Sequence, residues 1–284
     1  MNALYLLMVI VGVSVQQVAR KAYNTRVTGG TYSFPAASAF VALLFFVVSS
    51  GGEFRFSPEI LGYSVLFAFS YGVSVVSSLL AIGCGPLSLT ALMIQYSLIV
   101  PAVYGLIALD ETPGLLLVVG IVLLLISLVF INMEKKGEEK KISLRWGLYA
   151  FLAFAGNGMC STVQKVQQLD FNGLYKNEFM ITALAMVFTA LLCIAFFTER
   201  KTIFKNLKFG AVWYILCGSA NGMVNLLVLV LSLALPASVM FPIISAGGII
   251  LTTLISVFVY KEKLSSRQKI GFLLGIGAIV LLNL

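Results

Sequence analysis

The sequence predicts an all-α membrane protein whose ten transmembrane helices form two inverted five-helix repeats. Three observations predict it. Of the 284 residues, 60% are hydrophobic and 11% charged, and the mean hydropathy is +1.02; soluble domains run near ~45–50% and ~25%. Apolar runs of about eighteen residues or more recur along the chain, each long enough to cross a hydrocarbon core as a helix, whereas barrel strands would be short and alternating. Finally, the chain repeats itself: Pro86–Asn132 recurs near the end, so that Glu111 falls on Glu262, Gly120 on Gly271, Leu123 on Leu274, Val129 on Val280 and Asn132 on Asn283.

Taken in order, the expected spans are Asn2–Ala19, Tyr32–Ser50, Ile60–Cys84, Leu87–Leu109, Gly114–Ile131, Leu144–Val166, Phe179–Phe197, Phe209–Leu235, Ala237–Tyr260 and Lys269–Leu284. The first lacks the basic start and small-residue cleavage site of a leader, so it reads as a membrane helix. Spans 3 and 4 meet at Gly83-Cys84-Gly85-Pro86 and spans 8 and 9 at Leu235-Pro236, too tightly for a loop domain. The mixed charges of Glu134–Lys141 read as a solvated linker. The expected division is therefore residues 1–132 for the first repeat, 133–143 for the linker and 144–284 for the second repeat. Further matches support it: Gly12 with Gly156, Lys21 with Lys165, Gly72 with Gly222, and Pro86 with Pro236. Five spans per half is an odd number, so the second half enters the membrane in the opposite sense. Inverted repeats of this kind mark transporters, with the site between the halves.

Charge then orients the chain. Of its 19 basic residues, all but Arg55, Lys165 and Lys176 lie in the loops after spans 1, 5, 7 and 9. The positive-inside rule places those loops in the cytoplasm and both termini outside. No basic face interleaved with aromatics suggests nucleic acid. Histidine is absent, which removes the commonest base and metal ligand. Cys84, Cys160, Cys193 and Cys217 fall in or beside apolar spans without metal spacing and read as small buried hydrophobes. No metal or cofactor is expected.

Two short pieces carry a family resemblance. Leu109-Asp110-Glu111-Thr112 followed by Leu117–Leu123, and Tyr260-Lys261-Glu262-Lys263-Leu264 followed by Gly271–Gly275, resemble the acidic hairpin and glycine-bearing final helix of each half in the EamA-like branch of the drug/metabolite transporter superfamily. The resemblance covers essentially the whole chain. It implies that helices 1–4 and 6–9 line a cavity, that helices 5 and 10 stand aside, and that the substrate is a small metabolite or drug. Members commonly keep both termini in the cytoplasm, which the charge count here opposes.

Polar side chains in hydrocarbon usually face the protein interior or a wet cavity. The substrate-binding candidates are Gln16, Gln17, Tyr71, Gln95, Tyr96, Tyr104, Asn157, Gln164, Asn221, Asn225 and Ser245, with Ser74 and Ser161 beside them. Asn221 and Asn225, four apart, share a helix face. The alternative role for each is interhelical hydrogen bonding. Lys21 and Lys165 are repeat-related and end helices 1 and 6, as an anion-capturing pair or as lysines snorkelling to the interface. Glu111, ahead of Pro113, fits a local helix cap. Pro101 and Pro242 interrupt spans 4 and 9, and Gly271-x-x-x-Gly275 suits close helix contact, within one chain or between two. No Asp or Glu lies mid-span, which disfavours proton exchange for cationic drugs.

The expected function is a secondary transporter that moves a small neutral, zwitterionic or anionic metabolite, such as an amino acid, by alternating access at the plasma membrane. The alternatives are a lipid-carrier flippase of the same fold and an intramembrane enzyme, for which no nucleophile–base pair or paired aspartates are visible. The expected partners are a small-molecule metabolite and membrane lipid, with no nucleic acid, and the chain is either a monomer or a homodimer.

Overall fold

The computed structural model describes residues 1–27, 29–55, 57–84, 93–94, 96–109, 111, 114–132, 143–258 and 266–282. Ten helices are found among them: α1 (Asn2–Arg26), α2 (Ser33–Ser49), α3 (Glu59–Cys84), α4 (Ile99–Ala108), α5 (Leu115–Asn132), α6 (Leu144–Asp170), α7 (Lys176–Thr198), α8 (Ile203–Ala234), α9 (Ala237–Phe258) and α10 (Ser266–Leu282). Each falls on one expected span. Among the described residues, four stretches are long and apolar enough to cross a membrane: Asn2–Arg20, Glu59–Ser78, Lys176–Thr198 and Ile203–Ala234. Large apolar side chains point outward, as on Phe69, Ile107 and Phe197, as befits helices bathed in lipid rather than water.

Several ends differ from expectation: α8 begins at Ile203 rather than Phe209, α6 runs past Val166 to Asp170, and α7 begins at Lys176 rather than Phe179. α1 runs past Ala19 to Arg26, because Gln, Arg and Lys are good helix formers and no breaker occurs before Gly29-Gly30. Span 4 is not continuous: Ser97 and Leu98 form a turn ahead of α4. Pro101 explains it, since a proline three residues into a helix has no amide to offer the carbonyl four residues back.

The chain forms two compact units. Unit 1 comprises Met1–Val76 and Val163–Leu233, and unit 2 comprises Ser77–Thr162 and Ala234–Leu284. Each unit therefore draws on both the early and the late part of the sequence.

In unit 1, α2 packs on α7, with Ala36, Ala39, Val187 and Leu191 buried between them. α8 approaches α2 closely through two glycines four apart. A Cβ on Gly218 would stand 2.5 Å from the Ser38 carbonyl oxygen, and one on Gly222 would stand 2.6 Å from the Phe45 ring. Past the apolar part of α1, Tyr23 stacks on Phe34 at 4.2 Å. It fits against Gly30 and Gly210, where a Cβ would come within 1.8 and 2.4 Å of its ring or hydroxyl. Gly30 also has φ +83°, a conformation that glycine adopts freely. Glu199, just beyond α7, closes the start of α2. Its Oε1 accepts the Tyr32 amide at 2.6 Å, and its Oε2 accepts the Ser33 amide at 3.2 Å and the Ser33 hydroxyl at 2.5 Å.

In unit 2, α4 packs on α9 and α5 on α10. Ser127 on α5 donates to the Gly271 carbonyl at 2.6 Å, and a Cβ on Gly275 would meet the Ser127 hydroxyl at 2.7 Å. The Gly271–Gly275 pair thus makes its close contact within the chain. Glu111 does not cap its own hairpin. Its carboxylate accepts the amides of Ala237 and Ser238 and the Ser238 hydroxyl at 2.7, 2.9 and 2.6 Å, capping α9 from 126–127 residues away. The exposed first-turn amides of α9 attract a carboxylate wherever it comes from in the sequence. Glu262, which the sequence match pairs with it, lies outside the described residues.

Candidate functional site

The middle of α8 sets the site. Cys217, Asn221 and Asn225 recur every four residues and so lie along one face of the helix. Gly218 and Gly222 occupy the neighbouring face and draw α8 against α2. The polar row connects to α6 and α3 within unit 1. Gln164, itself buried, donates to Asn225 Oδ1 at 2.7 Å. Asn225 donates to the Asn221 carbonyl at 2.9 Å and to the Asn221 side-chain oxygen. Asn221 donates in turn to the Tyr71 hydroxyl of α3 at 3.5 Å. The amides therefore point one way along a single chain, Gln164 to Asn225 to Asn221 to Tyr71. Such chains reinforce each donor through its neighbour in a low-dielectric interior.

Tyr71 ends the chain. Four residues from three helices thereby form one polar track: Tyr71, Gln164, Asn221 and Asn225. All four are among the candidates that the sequence offers. Arg20, at the end of the apolar segment of α1, is exposed.

The other described candidates are spread over both units. Lys165 is 4% exposed, and its Nζ donates to the Ser232 carbonyl at 2.6 Å. It does not snorkel: it lies against the last carbonyls of α8, where a helix C-terminus favours a cation. Lys21 lies on α1, but its side chain is outside the described residues, as is Gln95 entirely. In unit 1, Gln16 is half-buried, Gln17 is exposed and Ser74 is buried. In unit 2, Asn157 donates to the Ser97 hydroxyl at 2.6 Å, and Ser161 bonds back to the Asn157 carbonyl at 3.5 Å. Tyr96 donates to the Leu125 carbonyl at 3.3 Å. Tyr104 is half-buried, and Ser245 is buried in α9.

Among the described residues, no group of three His, Cys, Asp or Glu side chains is placed to hold a metal ion. The track offers amide and hydroxyl groups, the kind of donors and acceptors that can orient a polar molecule. The profile of the EamA-like transporter family matches residues 142–284. This chain belongs to the EamA-like transporter family.

As a member of that family it is a membrane transporter of the drug/metabolite transporter superfamily, and its apolar helices are those of a multi-pass integral membrane protein. No curated protein sequence matches this transporter. A protein solved by crystallography shares its fold, with a TM-score of 0.81 and 11% identity, over 99% of this chain and 98% of that one.

Proposed function

We propose that the chain is a secondary transporter of the plasma membrane, moving a small neutral, zwitterionic or anionic metabolite by alternating access between two inverted five-helix halves. One observation carries the reading: the polar track from Gln164 to Tyr71 runs through otherwise apolar helices. Buried amides in a membrane are costly unless satisfied, and a row that bonds largely to itself can exchange those bonds for a substrate's. Its members are amides and a phenol, which suits a substrate that forms hydrogen bonds.

Reconstitution into liposomes tests the reading. Uptake or counterflow of an amino acid, nucleoside or sugar phosphate, with and without a pH gradient, supports it. Absence of flux for every soluble compound, beside lost glycolipid traffic in a deletion strain, favours a lipid-carrier flippase instead. In the proposed topology both termini lie outside. A C-terminal alkaline-phosphatase fusion is then active, and an inactive one beside a fluorescent GFP fusion reverses the orientation.

A further inference from the structure

α8 is longer than a membrane is thick. Its 32 residues, Ile203–Ala234, span about 48 Å at about 1.5 Å per residue, against a hydrocarbon core of about 30 Å. The excess falls at the start of the helix, which carries Lys205 and Lys208, with Lys201 in the turn ahead of it. Residues 226–234, at the other end, hold no charge.

The start of α8 has two faces. Ile203, Asn206 and Gly210 are buried, and Tyr23 of α1 fits against Gly210. The opposite face is open. Lys205, Lys208, Val212 and Leu216 follow one another at steps of three or four residues and so form one outward stripe, with Phe209 on it next to Lys205. All five are exposed, as is Lys201; Phe209 is 66% and Val212 63% exposed. Glu199, the nearest carboxylate in sequence, is turned to α2, where it accepts the Tyr32 amide and the Ser33 amide and hydroxyl. Beside the stripe, Arg26 Cζ lies 5.1 Å from the centre of the Trp213 ring. Trp213 is about 15 Å along the helix from Ile203, which sets it at the edge of the hydrocarbon core, the depth that tryptophans favour.

We infer that this stripe binds an anionic phospholipid, with its phosphate among Lys201, Lys205 and Lys208 and an acyl chain along Phe209, Val212 and Leu216. The stripe and the lipid have the same order of parts, charge first and hydrocarbon below it, and a soluble anion would leave the apolar half unused. Juxtamembrane lysines are drawn to lipids of net negative charge. Phosphatidylcholine carries its own cation beside the phosphate, which the lysines repel. The inference needs only that the chain is a membrane protein and is independent of what it moves.

The test uses the full-length protein carrying W146F, which leaves Trp213 as the reporter because the sequence has two tryptophans. It is reconstituted into phosphatidylcholine vesicles in which a fixed fraction of the lipid is acyl-brominated, as either phosphatidylglycerol or phosphatidylcholine. Brominated phosphatidylglycerol is expected to occupy the stripe about tenfold more readily and to quench Trp213 correspondingly more. K205Q/K208Q is expected to bring the two lipids within about twofold of each other, with its unfolding midpoint near that of the parent because both side chains are exposed. R267Q/K269Q, which removes the same charge from the start of α10, is expected to keep the preference. Equal quenching by the two lipids in the parent overturns the assignment. So does a preference that survives K205Q/K208Q, or one that R267Q/K269Q abolishes as fully, which marks diffuse attraction to the leaflet. The same comparison in the two-tryptophan protein guards against a folding defect of W146F.

Discussion

Glu111 and Ser238 are joined twice, through the serine amide at 2.9 Å and its hydroxyl at 2.6 Å, both to the same carboxylate oxygen. Glu199 and Ser33 are joined in the same way, and in each case the other carboxylate oxygen takes the amide of the preceding residue. Each compact unit thus has one glutamate clamped over the first turn of one helix. The clamp ties the end of α7 to the start of α2 in unit 1, and the segment after α4 to the start of α9 in unit 2.

Removing the charge should weaken each unit. E111Q and E199Q retain one oxygen but replace the other with an NH2 that repels the amide and the serine donor. A loss of about 1–2 kcal/mol is expected for each, read as a lower unfolding midpoint in detergent. S33A and S238A remove only the hydroxyl contact and should cost less. An unchanged midpoint in both glutamine variants would show that the helices hold without the clamps.

Tyr23 should make the fold sensitive to alkali. It lies beyond the apolar segment Asn2–Arg20, and burial, aided by the charge of Glu199, raises its pKa from 10.0 to about 12. The folded state therefore holds this proton more tightly than the unfolded chain does. Its contribution is fully present below pH 10 and is lost as the pH rises through about 12. Phenolate absorbance should show a late-titrating component, and Y23F should reduce it by one tyrosine. E199Q should shift the titration down.

The glycines of α8 should tolerate nothing larger. A methyl on Gly218 meets a backbone carbonyl, which cannot rotate away, at 2.5 Å, so G218A should cost about 1–3 kcal/mol. Gly62 on α3 has open space around it, and G62A serves as the control, with little effect or a slight gain. Equal midpoints for the two variants would refute the close approach of α8 and α2.

The middle of the polar track should matter more for transport than for folding. N225L removes the residue that both accepts from Gln164 and donates to Asn221. Interhelical hydrogen bonds in membranes are worth about 0.6 kcal/mol on average, so a modest fall in midpoint is expected. Uptake should fall by about tenfold or more, as when a polar contact to substrate is lost. A variant that unfolds but, where folded, transports normally would make the row structural.

The helices were legible because lipid demands long apolar runs, and every described helix falls on one of them. The pair Asn221 and Asn225 was legible because their spacing of four sets a face. The connections were not. That Gln164 meets Asn225, 61 residues on, or that Glu111 meets Ser238, depends on which helices pack together, and no local pattern records it.

The interleaving of the two units carries a consequence for the order of synthesis. Unit 1 needs residues up to Leu233, and unit 2 needs α10. Neither can close when the first five helices have left the ribosome. At that stage Tyr71 lacks Asn221, the start of α2 lacks Glu199, and the Glu111 carboxylate has no α9 to cap. The early helices must wait in the bilayer with these groups unmet, so the late half of the chain acts on them as an assembly factor made in cis. Cutting the gene at the linker and co-expressing the two pieces should therefore restore what neither piece achieves alone.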